Sequence, residues 1–343
     1  MKIGILTGGG DCPGLNPAVR GFVIKSLEYR HQVYAIREGW RGLVKPIIDD
    51  NPLTLNDVDE LIYRGGTALR SSRTNPYKDP AQLQAVKENI QKHGFDAIGA
   101  FGGEDTLGVA SKLYKDGFNT VGCPKTMDND LSETDYTFGF DSAVSVNVDA
   151  IDRLRDTARS HMRVIVLEVM GRHAGWVALH SAIAGGADAV LLPELKMDVD
   201  ELCAQVQRAF DRKKYAIVVA SEGVELPGND EGEATLDAFG HVNLSNRAVG
   251  ETVASIIEER TKLETRSAVT GHIQRGGAPT AFDRVLASRL GVRAAQCVHE
   301  RDFGKMVALR GTDIVTAPIE AAVGTLKVIP ADLIEQVKTL FSK

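Results

Sequence analysis

Ile3-Gly4-Ile5-Leu6-Thr7-Gly8-Gly9-Gly10-Asp11-Cys12-Pro13-Gly14-Leu15-Asn16 is the stretch that decides how the chain is read. A short apolar run of strand length passes straight into a glycine loop, and the loop passes straight into a helical pattern. Glycines let a backbone approach an anion closely, and the free amides at a helix N-terminus then face that anion. The same residues would also make a tight strand-to-helix turn with no ligand. The spacing is neither a Walker A loop nor G-x-G-x-x-G.

Outward from this unit the pattern repeats. Apolar runs at Val33–Ile36, Ala97–Phe101, Thr120–Cys123, Val164–Val169, Ala189–Leu192, Ala216–Ala220 and Ser267–Thr270 read as buried parallel strands. Amphipathic stretches at Pro80–His93, Asp141–Arg159, Val199–Lys213, Asn246–Thr261 and Phe282–Glu300 alternate with them. The class is α/β. The 343 residues are long enough for two such units, with a division expected near Phe138-Gly139-Phe140 and an exposed loop at Pro227–Gly232. The stretch from Val315 to Lys343, with a helix expected over Ala331–Phe341, has no role legible in its residues.

Composition removes several function classes. A hydrophobic fraction of 43% and a charged fraction of 25% are ordinary for a globular chain. The net charge of −6 offers no overall attraction for nucleic acid, so an anionic ligand has to be held by local arginines, lysines and backbone dipoles. Cys12, Cys123, Cys203 and Cys297 lie far apart without C-x-x-C spacing, which argues against a zinc site and a disulfide framework. With no stretch able to span a bilayer and no signal-peptide pattern at Met1–Leu6, a cytoplasmic protein is expected.

Three further groups carry chemistry. Gly102-Gly103-Glu104-Asp105-Thr106 places two carboxylates at a strand's C-terminal end, the edge where open α/β sheets bind ligands. There Glu104 could hold Mg²⁺, or both carboxylates could merely favour the following helix N-terminus. Pro124-Lys125-Thr126-Met127-Asp128-Asn129-Asp130 combines a possible base with a cation suited to a moving phosphoryl group, although such triplets are often solvated turns. Arg163, Met170-Gly171-Arg172, Arg266 and Gly271-His272-Ile273-Gln274-Arg275-Gly276-Gly277 supply cations for a sugar phosphate, and Glu222 could accept bonds from sugar hydroxyls.

In order and spacing these motifs resemble the phosphofructokinase family from Lys2 to about Asp313. The resemblance implies two Rossmann-like three-layer lobes with mostly parallel sheets. Residues 1–139 plus 274–306 would bind the donor, and 140–273 plus 307–343 would bind fructose 6-phosphate. It implies Asp128 as the base for the C1 hydroxyl, with Asp130 beside it and Thr126 on the sugar. Arg172 and Lys125 would stabilise transferring and leaving phosphoryl groups. Arg163, Arg266, His272 and Arg275 would take the 6-phosphate, with Met170, Gly171 and Glu222 around the sugar. Gly9, Gly10, Arg73, Gly103 and Thr106 would serve the donor, and Glu104 the Mg²⁺. In this family Arg163 and Arg266 reach a neighbouring subunit's site, so a homodimer or homotetramer is implied.

Asp105 and Lys125 resemble the pyrophosphate-using branch of actinobacterial type, since ATP-using relatives typically have glycine in place of Asp105. A carboxylate there would repel a nucleotide's α-phosphate by several kcal/mol as a rough estimate. Glu104 and Met127 depart from the more frequent aspartate and isoleucine, and His173 stands at a position that varies between tyrosine and histidine. Arg20 and Arg155 match the family's effector-site arginines, but Ile24 and Leu55 stand where other effector-site residues are expected, so strong allosteric control is not implied. The readings left standing are a pyrophosphate-dependent phosphotransferase, an ATP-dependent phosphofructokinase and a non-catalytic sugar-phosphate binder.

Overall fold

The computed structural model describes residues 1–227 and 248–341. Its elements run β1 (Lys2–Thr7), α1 (Leu15–Glu28), β2 (Gln32–Ala35), α2 (Arg41–Val44), α3 (Leu55–Val58), α4 (Pro80–His93), β3 (Ala97–Gly102), α5 (Glu104–Lys115), β4 (Thr120–Pro124), α6 (Phe140–His161) and β5 (Val164–Val169). They continue with α7 (Trp176–Ala184), β6 (Ala189–Leu191), α8 (Val199–Lys213), β7 (Ala216–Ser221), α9 (Val249–Thr261), β8 (Thr265–Val269), α10 (Ala281–Glu300), β9 (Lys305–Arg310), β10 (Asp313–Pro318), α11 (Ile319–Val323) and α12 (Ala331–Val337). None of the described helices is long and apolar enough to cross a membrane.

Local chemistry sets the helix ends. α4 starts where the Asp79 carboxylate accepts the Ala81 N–H with Pro80 at the first helical position, and stops at Gly94 in the left-handed region. Asp198 caps α8 in the same way by accepting the Glu201 N–H. The helices expected at Pro80–His93 and Val199–Lys213 therefore coincide with the observed ones.

The strands form two sheets. The first has the order β10-β9-β4-β3-β1-β2, parallel except for the antiparallel β9–β10 pair, and the second has the order β6-β7-β5-β8 with every pair parallel. Each sheet is covered on both faces. On the first, Phe22, Leu290 and Ala294 fill one side, and Ile98, Leu107 and Ile319 the other. On the second, Ile151, Val177 and Leu179 pack opposite Val206, Val253 and Ile257. These are two three-layer lobes.

β1 lies between β2 and β3, so the chain leaves it first to one side and then to the other. That reversal opens a crevice at the C-terminal ends of β1 and β3, where the Gly8–Gly10 loop and the Gly103–Asp105 turn emerge.

The expected lobe boundaries need correction. Residues 305–318 form β9 and β10, which extend the first sheet, so the division at 306/307 falls inside β9. The hairpin turns at Gly311, in the left-handed region, and its antiparallel pairing breaks the βαβ rhythm on which the reading relied. The end of the chain does join the second lobe, where Ile329 and Phe341 are buried against it. There α12 stops at Val337 and tightens into a 3₁₀ turn, Lys338–Leu340, short of the helix expected to Phe341. β8 is Thr265–Val269, two residues earlier at its start than read. The expected start of α9 at Asn246, and the Pro227–Gly232 loop beyond Pro227, lie outside the described residues.

The lobes meet at a buried carboxylate. Asp283, in the first turn of α10, accepts from the Ser142 N–H at 2.9 Å and the Ser142 hydroxyl at 2.6 Å in the first turn of α6, and is 0% exposed. Its Oδ1 is buried without a partner. Burial pushes its pKa up to about 6, against the Ser142 bonds that favour the charged form. A carboxyl raised in this way stabilises the fold fully below its unfolded pKa and loses that contribution as pH rises through the folded one. Asp283→Asn should therefore gain about 2 kcal/mol of stability relative to the parent between pH 4 and pH 7, measured by urea unfolding across that range.

Candidate active site

The site is built from the turns that follow β1, β3, β4 and β5. Gly8 N–H donates to the Phe101 carbonyl and Gly9 N–H to the Ser72 carbonyl, which pins the glycine loop between β3 and the 71–72 segment. Gly9 sits at φ 78°, a conformation only glycine adopts freely. Gly10 is constrained by space: a Cβ there would lie 2.7 Å from Arg275 Nη1. Arg275 itself donates to the Asp11 carbonyl at 3.1 Å, so the loop and the guanidinium hold one another.

Lys125 reaches the same loop from the end of β4. It is 4% exposed and donates to the Gly10 carbonyl at 2.5 Å. Burial lowers its pKa; nearby Arg275 lowers it further, while Asp128 and Asp130 act the other way. Beyond it, Asp128 N–H donates to the Thr126 hydroxyl at 3.1 Å, and that hydroxyl lies 3.4 Å from Asp128 Oδ2. Asp128 Oδ1 is buried with no hydrogen-bond partner. Such an atom is costly unless something else donates to it, as a substrate hydroxyl would. Burial and the Asp128 charge hold Asp130 above the usual carboxylate range, although Thr126 and Arg172 oppose the shift.

Thirteen of the residues singled out in the sequence line one cleft: Gly9, Gly10, Arg73, Gly103, Glu104, Asp105, Thr106, Lys125, Thr126, Asp128, Asp130, Arg172 and Arg275. Met170, Gly171 and Glu222 stand behind it. Glu222 Oε1 accepts from the Gly171 N–H at 3.3 Å and the Arg172 N–H at 3.1 Å, and so fixes the turn that presents Arg172, whose φ is 54°. Burial, then the charge of Asp128, raises the Glu222 pKa.

Three expected residues are not brought to the cleft. Arg163 and Arg266 sit at the starts of β5 and β8, the opposite end of the second sheet, where both pair with Glu264 at 3.0 and 2.7 Å. A six-residue strand spans roughly 17 Å, so these arginines belong to another face of the molecule. They were read as lying near strand ends, but a linear pattern does not say which end. His272 is exposed on the 3₁₀ turn Gly271–Arg275.

Sequence reasoning missed the segment that walls the glycine loop. Ser71 donates its hydroxyl to the Gly9 carbonyl, and the Thr7 hydroxyl pairs with Thr67 and the Arg70 carbonyl. The polar run Arg70-Ser71-Ser72-Arg73 was the available signal. It has no periodicity and precedes no strand.

The donor set also fits a magnesium ion. Among the described residues no three His, Cys, Asp or Glu side chains group to hold a metal. The cleft instead offers the carboxylates of Glu104, Asp105, Asp128 and Asp130. Mg²⁺ suits such a site because it keeps several waters and takes further oxygens from phosphate.

The phosphofructokinase profile matches residues 2–298. This chain belongs to the phosphofructokinase family. Among its relatives, the pyrophosphate--fructose 6-phosphate 1-phosphotransferase of Streptomyces coelicolor is 52% identical over 99% of this chain and 100% of its own length. The ATP-dependent 6-phosphofructokinase of Corynebacterium efficiens is 47% identical over 97% of this chain and 96% of its own. A solved pyrophosphate-dependent phosphofructokinase from Nitrosospira multiformis superposes with a TM-score of 0.85 at 23% identity, covering 100% of this chain and 92% of that one, a likeness of fold. The two-lobed phosphofructokinase fold is thus established.

In this phosphofructokinase, Gly10→Ala should drive Arg275 out of its bond to the Asp11 carbonyl. Removing one charge-assisted contact costs about 1.5–3 kcal/mol, so inorganic phosphate should bind roughly tenfold or more weakly by isothermal titration.

Proposed function

We propose that this chain catalyses the reversible transfer of a phosphoryl group from pyrophosphate to the C1 hydroxyl of fructose 6-phosphate, giving fructose 1,6-bisphosphate and phosphate. Asp128 takes the hydroxyl proton through its unpartnered Oδ1. The C1 oxygen forms its bond to phosphorus as the bridging oxygen of pyrophosphate leaves in line, and inorganic phosphate departs. Arg172 balances charge on the moving group, and Lys125, beneath Gly10, balances it on the leaving phosphate. Mg²⁺ held at Glu104 would neutralise phosphate charge. Thr126, Glu222, Met170, Gly171 and Arg275 form the sugar-phosphate side, and Gly9, Arg73, Gly103 and Thr106 the donor side.

The observation that carries the donor choice is the position of Asp105. Glu104 and Asp105 line both the catalytic cleft and a neighbouring groove bounded by Asn75, Gly108, Ser111, Lys112 and Lys115. A donor longer than pyrophosphate would have to pass these two carboxylates to enter the groove. Relatives with either donor are nearly as similar to this chain, so the residue itself carries the argument. Pyrophosphate and the sugar bisphosphate have comparable transfer potential, and both directions should run.

Arg163 and Arg266, set far from this cleft, are proposed to complete the 6-phosphate site of a neighbouring copy, in a homodimer or homotetramer of cytoplasmic enzyme. His272 is assigned to the same sugar-phosphate function.

Initial rates on fructose 6-phosphate and Mg²⁺, with each donor titrated separately, test this reading. The parent should use pyrophosphate and not ATP, Asp105→Gly should weaken pyrophosphate use, and Asp128→Asn should lower kcat roughly a hundred- to ten-thousandfold. ATP as the better donor of the parent would refute the charge-exclusion argument, and activity with neither donor would leave a binding protein.

A further inference from the structure

We infer that Lys327 is a positioning residue for the reaction: from the C-terminal strap between α11 and α12 it holds the loop that carries Asp128 and Asp130 in its working shape. The inference rests on the reading of Asp128 as the base, and assigns a role to a segment that the sequence left without one.

The Lys327 ammonium donates to the Asn129 side-chain oxygen at 3.2 Å, the Thr134 carbonyl at 2.8 Å and the Asp135 carbonyl at 2.7 Å. Those three acceptors use all three of its protons. Its own backbone N–H donates to the Asp130 carbonyl at 2.9 Å, so side chain and main chain grip the same loop from two sides. Around this point Ser132 donates to the Thr325 carbonyl at 2.7 Å, and Leu131 bridges to Leu326.

Asn129 is the residue that needs holding. It lies between the two aspartates at φ 52°, in the left-handed region. Asparagine enters that region more readily than most residues, but a single residue there persists only when its surroundings fix it. Its side-chain oxygen also accepts the Thr137 N–H at 3.1 Å, which folds the loop back on itself. Without Lys327 the Thr134 carbonyl would lose its donor, and the Asp135 carbonyl would keep only the longer bond from the Asn129 amide at 3.4 Å.

The strap is anchored on the other lobe. Trp176, at the start of α7, donates its indole N–H to the Lys327 carbonyl at 2.9 Å, and the ammonium lies 5.1 Å from its ring centre. Glu194 accepts from both the Ile329 N–H at 3.1 Å and the Gly175 N–H at 2.9 Å. The loop of the first lobe is thereby tied to the second lobe close to the Gly171–Arg172 turn. Lys327 thus joins the two sides of the cleft, in addition to the Asp283–Ser142 contact between the lobes.

Lys327→Met and the milder Lys327→Gln test this in the full chain. Cooperative thermal unfolding would first show the folded fraction of each. Per folded site, kcat should fall roughly ten- to hundredfold, the scale of a reacting group displaced by a fraction of an ångström to one ångström, while both KM values stay within about twofold. Hydrogen exchange should quicken by about tenfold in residues 129–137 and stay unchanged in the two sheets. Parent-like kcat per folded site in both variants would overturn the inference, as would exchange that is unaltered in 129–137 or raised equally everywhere. If the parent itself turns over neither donor, the proposed reaction falls, and the exchange result alone decides whether Lys327 holds the loop.

Discussion

The structure depends on a cation inside it. Lys125 is nearly inaccessible to water, and an ammonium moved out of water without partners costs several kcal/mol. Here the Gly10 carbonyl accepts its proton and the aspartates at 128 and 130 oppose its charge. The first of these constraints draws the turn after β4 beneath the glycine loop after β1. The second requires the loop that follows Lys125 to turn back into the cleft rather than run on into solvent. The backbone obeys the same geometry, since the Lys125 N–H donates to the Gly102 carbonyl at the end of β3.

From that tie the distribution of charge follows. Arg275 and Arg172 bring further cations, each held through the backbone around it: Arg275 by the Asp11 carbonyl, Arg172 by the turn that Glu222 fixes. Four carboxylates line the same space as these cations. Burial, and after it the charge of Asp128, holds Asp130 and Glu222 above the usual carboxylate range. On the proposed reading such a cleft would suit a compact, highly charged ligand, because a longer one would have to pass Glu104 and Asp105.

Much of this was legible in the chain because it is local. β1, β3, β4 and β5 are largely apolar and buried, with Glu168 in β5 as an exception, and the glycines and prolines at their ends mark the turns. The motifs that follow those strands line the cleft: parallel pairing puts the C-terminal ends of β1, β3 and β4 on one edge, and the turn after β5 faces them from the second sheet. Reading failed where pairing is not local. β9 and β10 join the first sheet through a hairpin that no βαβ rhythm announces, and the Ser71–Ser72 wall has no periodicity at all.

The sequence by itself determined the α/β class, the strands that carry the chemistry and the residue types gathered at their ends, because a period, a cap or a glycine acts within a few residues. Only the tertiary structure decided which ends of the second sheet hold Arg163 and Arg266, that Asp283 joins two helix starts from different lobes, and that Lys327 closes on Asn129. Each of these is an interaction between segments far apart in the chain. Its strength depends on burial and on the donor or acceptor opposite, and neither quantity exists until the chain has folded.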